Sequence, residues 1–136
     1  MPTQSSWYLQ DRIVLVRAIG KLTTEEMLAD DRTLVTSFLN KTPAEKVYFI
    51  FDNSKATASP PIWAFRKLKF HKHPKAAWTV SFGGNKFINF MATIAAQLSN
   101  RHLRLFSTLD DCLAYLKQID ESLLDLLPVD PVGNSA

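Results

Sequence analysis

Asp52-Asn53-Ser54-Lys55-Ala56-Thr57-Ala58-Ser59 gathers carboxylate, amide and hydroxyl groups directly after an apolar run, and Pro60-Pro61 follows it. Groups of this kind at the exit of a strand and the start of a helix can hold a phosphate or carboxylate through free backbone amides. The two prolines thin out those donors, because neither carries an amide proton. A capped connecting loop accounts for the same residues. A second constellation, Gly83-Gly84-Asn85-Lys86, combines two glycines, a capping side chain and a cation. It could curve amides around an anion, but it lacks the glycine spacing and Lys-Ser/Thr ending of a phosphate-binding loop. A tight turn with an asparagine cap explains it equally.

The remaining reactive side chains point away from catalysis. Asp52 is the only carboxylate at a predicted cleft, and no nucleophile, base and orienting group can be assembled around it. Cys112 shares an apolar helix face with Leu109, Leu113 and Leu116, where a thiol behaves as a small hydrophobe. His71 and His73 lie in a stretch without nearby acids or cysteines to complete a metal site. The residues thus predict no enzyme, no metal and no cofactor.

Charge is distributed unevenly. The formal net charge is +3, yet no Asp or Glu occurs from Asn53 to Leu109. Arg66, Lys67, Lys69 and Lys72 cluster within that stretch and form a predicted basic face. A positive field favours an anionic partner without naming it, and a solvated face is the plain alternative. Trp63, Phe70 and Trp78 lie among these cations, but their spacing predicts burial for at least two of them. With no RNA- or DNA-binding motif present, the pattern argues against nucleic acid.

These residues must be positioned by a chain of 136 residues, a length that suits one domain. Arg12 to Ile19 reads as a β-branched strand, preceded by a short strand over Ser6 to Leu9 and a hairpin at Gln10-Asp11. Thr23 and Glu26 have the spacing of a capping box, and Met27, Leu28, Leu34, Val35, Phe38 and Leu39 form one helical stripe with Asp30 and Asp31 off it. Lys46 to Phe51 is apolar almost throughout, as a central strand covered on both faces requires. Asp52 to Ser59 is predicted as loop and the residues after Pro60-Pro61 as an amphipathic helix. Ala76 to Phe82 is a strand, a helix carries Phe87, Ile88, Met91, Ile94, Ala95 and Leu98, Arg101 to Phe106 is a short edge strand, and a final helix starts at Thr108. The fold class is therefore α/β: a single mixed, mostly parallel sheet of four or five strands with about four helices. Residues 5–120 form the domain, and 121–136 form a C-terminal extension, partly disordered.

Three segments carry a family resemblance: the strand ending at Gly20 before a threonine-rich cap, the apolar strand ending at Asp52, and Leu105-Phe-Ser-Thr-Leu-Asp-Asp-Cys-Leu-Ala-Tyr-Leu116. With the element order, from about Trp7 to Ile119, they make the chain resemble the STAS superfamily and its SpoIIAA-like branch. Members that antagonise anti-sigma factors bind a kinase and accept phosphate on a serine in an Asp-Ser-Ser-Gly-like sequence after the central strand. Here that place holds Ala58-Ser59-Pro60-Pro61, so the phosphorylation switch does not carry over. The resemblance implies a regulatory module that binds a protein partner, with a small anionic or lipid-like ligand as the alternative. Open strand edges also leave room for a homodimer. The N-terminus has no secretory pattern and no stretch reaches the roughly 18–20 apolar residues of a membrane span, so a cytoplasmic protein is expected.

Overall fold

A computed structural model describes residues 3–58, 60–84 and 103–123. The predicted helix over Phe87 to Leu98 lies outside these residues, as do Ser59, Asn85, Lys86, Arg101, His102 and 124–136.

The β-branched and aromatic runs form one five-stranded sheet in the order β1-β2-β3-β4-β5. Its strands are β1 (Thr3–Leu9), β2 (Ile13–Lys21), β3 (Val47–Ala58), β4 (Ala76–Phe82) and β5 (Leu103–Phe106). β1 is antiparallel to β2 and every other pairing is parallel. The hairpin at Gln10-Asp11 closes without glycine because Asp11 takes φ 66°, a region that aspartate enters more readily than bulkier residues. Its carboxylate accepts a hydrogen bond from the Thr42 hydroxyl at 2.8 Å.

Successive strand residues face opposite sides of the sheet, which is why Ile13 to Val16 of β2 and Val47 to Phe51 of β3 are apolar throughout. On one face Val14, Val16, Val47 and Phe49 pack with Met27, Leu34, Phe38, Leu39, Ala64, Leu68 and Phe70. On the other, Ile13, Leu15, Tyr48, Ile50 and Val80 meet Cys112, Leu113, Leu116 and Leu123. Each fully buried Phe, Ile or Leu in these layers contributes about 1.5–3 kcal/mol.

Helix α1 (Thr24–Thr33) begins as its sequence requires. The Thr23 hydroxyl accepts the Glu26 amide at 3.2 Å, and the Glu26 carboxylate accepts the Thr23 amide at 2.9 Å. The helix passes into a π-helical turn, Leu34–Leu39, where the Asn40 amide reaches the Val35 carbonyl at 2.8 Å. Helix α2 (Leu109–Ile119) is capped by Thr108, and a 3-10 turn, Glu121–Leu123, follows it.

Three sequence expectations are corrected. Asp52 to Ala58 is not a loop: β3 continues to Ala58 because β2 runs beside it as far as Lys21, pairing Ile19 with Lys55 and Lys21 with Ala58 across two register shifts. The predicted amphipathic helix after Pro60-Pro61 is two short 3-10 turns, Ile62–Lys67 and Phe70–Lys72. Leu68 is extended between them, which lets the next two amides turn towards α1. Asp31, placed off the apolar stripe by sequence, is buried, where its carboxylate accepts the Lys69 and Phe70 amides. Among the described residues no helix is long and apolar enough to cross a membrane.

Candidate functional site

The exit of β4 and the middle of β2 and β3 beside it bring together several of the predicted site residues. Register places Arg17 beside Asp52, and Asp52 beside Phe82. The Asp52 carboxylate accepts hydrogen bonds from the Ser54 amide at 3.0 Å and the Ser54 hydroxyl at 2.6 Å. Its other oxygen faces Arg17 Nε at 3.8 Å. Arg17 is more than half exposed, so this pair is screened and contributes at most about 1 kcal/mol. On the opposite face, Asn53 donates from its side-chain amide to the buried Ser81 hydroxyl at 2.9 Å. Gly83 closes the cluster over Ser54. Thr57 lies farther along β3, exposed, and Lys55 is also exposed.

Gly83 and Gly84 have φ 75° and 82°. At Gly83 there is a second constraint: a Cβ would lie 2.7 Å from the Ser54 backbone nitrogen. The glycine therefore serves close contact between β3 and the exit of β4. Of the two predicted constellations, the structure joins Asp52, Asn53, Ser54 and Gly83 into one rim, to which it adds Arg17 and Ser81.

The basic stretch is built differently from the predicted amphipathic helix. Arg66, Lys67, Lys69 and Lys72 are all exposed, on and beside the two 3-10 turns. Beneath them Ala64, Leu68 and Phe70 are buried, with Phe70 tilted against Phe49 at 4.8 Å between ring centroids. Asp31, only 4% exposed, accepts the Lys69 amide at 2.9 Å and the Phe70 amide at 2.8 Å. This carboxylate from α1 fixes the backbone that presents the cations. Of the three aromatics among the cations, Trp63 is the one left 54% exposed, and Lys67 Nζ sits 5.1 Å from its ring centroid. Trp78 is partly buried, edge-on to Tyr115 at 5.6 Å.

The histidines have separate surroundings. His73 Nε2 pairs with the Asn40 side-chain oxygen at 2.9 Å, and its Nδ1 accepts the Lys75 amide at 3.1 Å. His71 stands edge-on to Phe70. Among the described residues no group of three or more His, Cys, Asp or Glu could hold a metal ion. Cys112 is fully buried, and burial, followed by the charge of Asp111, pushes its thiol up to about 12.

A second polar cluster occupies the opposite end of the sheet. Asp120, at the end of α2, accepts the Tyr48 hydroxyl at 2.6 Å, Arg12 Nη2 at 3.0 Å and the Ser122 hydroxyl at 2.6 Å. Burial and the bond to Asp120 push the Tyr48 phenol well above its ordinary range. Burial works to raise the Asp120 carboxyl, but the bonds from Ser122 and Tyr48 and the Arg12 charge outweigh it and hold the group low. This cluster ties α2 to β2 and β3.

Arg17, Ser81, Asp31 and the exposure of Trp63 were missed by sequence reasoning. One signal was present: Trp63, Arg66, Lys69 and Lys72 recur every three residues, the period of a 3-10 turn.

No protein-family model and no curated protein matches the chain. Among solved structures, the chain is similar to an uncharacterized protein from the DUF3478 family with a SpoIIAA-like fold from Shewanella loihica PV-4. The two share 18% identity with a TM-score of 0.60, over 84% of this chain and 91% of that one. The likeness establishes a SpoIIAA-like α/β fold.

Proposed function

We propose that this chain is a non-enzymatic regulatory module of the cytoplasm that engages a protein partner. The contact surface comprises the rim around the β4 exit and the basic 3-10 segment beside it. The observation that carries this reading is the four exposed cations Arg66, Lys67, Lys69 and Lys72, held on a backbone anchored by buried Asp31. Surfaces rigid before contact lose less entropy on binding. Asp52 supports a binding role over a catalytic one, since one of its oxygens is engaged by Ser54 and the other faces Arg17.

The test is affinity capture with the full chain as bait, beside a Lys67→Glu/Lys69→Glu bait and an Arg17→Ala/Ser54→Ala bait, with each captured protein verified by reciprocal capture. A verified partner lost from either variant supports the reading. Identical capture by all three baits counts against it.

A small anionic or lipid-like ligand is the second reading, favoured by the consecutive left-handed glycines Gly83 and Gly84 at the rim. Native mass spectrometry of protein taken directly from cells tests it, and a mass equal to that of the bare chain opposes a tightly held ligand.

A further inference from the structure

A 3-10 turn advances about three residues per revolution, so residues three apart stand on the same side. In the first turn after β3 that places Trp63 and Arg66 together; Lys69 precedes the next turn, which ends at Lys72. All four are exposed, whereas Ala64, Leu68 and Phe70 point into the core. Tryptophan left 54% exposed is a large apolar surface in water, and here its position is held by Lys67 at 5.1 Å from the ring centroid. The mount is stiff as well, because Asp31 binds the amides of Lys69 and Phe70 from the neighbouring helix.

We infer that the ridge of Trp63, Arg66, Lys67, Lys69 and Lys72 docks an acidic segment of a partner protein that carries one apolar anchor residue. The inference rests on the protein-binding reading above and names the chemistry of the partner. Charge complementarity selects an acidic segment, since the stretch from Asn53 to Leu109 contains no Asp or Glu to offset these cations. Tryptophan and arginine are the side chains that most often dominate binding energy at protein interfaces.

The same geometry disfavours the other polyanions. Nucleic-acid strands bind through several open aromatic faces in succession. Here Lys67 sits over the Trp63 ring, Trp7 is edge-on to Phe38 at 5.2 Å, and Trp78 is edge-on to Tyr115. A bilayer surface would take up an apolar helix face, but Ala64, Leu68 and Phe70 of this segment are committed to the core.

The experiment pans the full chain against a phage library of random dodecapeptides. A peptide representing the recovered pool is then titrated by fluorescence polarisation. The pool is expected to be rich in Asp and Glu around one Trp, Phe or Leu. Trp63→Ala and Arg66→Glu/Lys67→Glu are each expected to weaken binding about tenfold or more. These side chains are exposed, and thermal unfolding verifies that the variants fold. A pool without acidic enrichment, or an acidic peptide bound equally by the variants, overturns the inference. Peptides that lose binding with Arg17→Ala/Ser54→Ala but not with the ridge variants also overturn it, while leaving the binding-module reading intact. Ridge-dependent binding tighter than the peptide's, to phosphatidylcholine–phosphatidylserine vesicles or to a dT oligonucleotide, replaces it with a membrane or nucleic-acid partner.

Discussion

The carboxylate of Asp31 accepts a hydrogen bond from the backbone amide of Phe70 at 2.8 Å, joining the first helix to the segment that carries the basic ridge. The same oxygen accepts the Lys69 amide. Hydrogen bonds to a charged group contribute about 1.5–3 kcal/mol each, and removing the acceptor leaves buried amides unsatisfied. Asp31→Ala is therefore expected to cost about 3 kcal/mol in urea unfolding. Asp31→Asn, which keeps an acceptor oxygen, should lose roughly half as much. A loss for Asp31→Ala below about 0.5 kcal/mol, the range of ordinary surface changes, would show that the contact does not hold the segment.

Gly83 and Gly20 form a natural comparison. Both have left-handed backbone, with φ 75° and 71°. A Cβ at Gly20 meets nothing within 4 Å, whereas one at Gly83 lies 2.7 Å from the Ser54 nitrogen. Gly20→Ala should cost only the left-handed penalty of about 1–2 kcal/mol. Gly83→Ala should cost at least about 1 kcal/mol more, because the backbones of β3 and the β4 exit must separate. Equal losses in chemical denaturation would remove the close approach as the reason for glycine there.

Acid stability should carry the signature of Asp120. Its carboxyl is held below its ordinary range when folded, so its contribution is complete above the unfolded value of about 4 and is lost as pH falls through the lower folded one. Glu26 is also lowered and acts with the same sign. Asp30 is raised, chiefly by burial, so its contribution runs the other way and increases on acidification. Comparing wild type with Asp120→Asn cancels those shared terms. The variant should lose stability at neutral pH but show a shallower decline below pH about 4 in urea midpoints. Parallel curves would contradict the network around Tyr48 and Arg12.

Cys112 should be inert until the fold opens. With its thiol pushed up to about 12, the thiolate fraction at neutral pH falls on the order of a thousandfold below that of a free cysteine, before access is considered. Labelling with a chromogenic disulfide reagent should be negligible in the native protein and stoichiometric in urea. Rapid native labelling would mean that α2 leaves the sheet readily.

How much was legible in the sequence follows from which interactions are local. The unbroken apolar, β-branched and aromatic runs of Ile13 to Val16 and Val47 to Ile50 specify strands covered on both sides, and the structure buries them on both faces. The capping box at Thr23 and Glu26 spans four residues and was readable as written. The order of elements, and with it the mixed and mostly parallel sheet, follows from the same local patterns.

Tertiary structure alone decided the rest. Asp52 to Ala58 carries a loop composition, yet it pairs as strand because β2 extends beside it to Lys21 and supplies the backbone partners. Asp31 looks like a solvent-facing acid until the Lys69 amide, 38 residues away, comes to meet it. That contact accompanies the break between the two 3-10 turns, where a spacing of three residues leaves Trp63 in water and not in the core. Local spacing can assign a residue to a period, but which period holds, and which buried groups receive hydrogen bonds, depends on segments that meet only when the chain is folded.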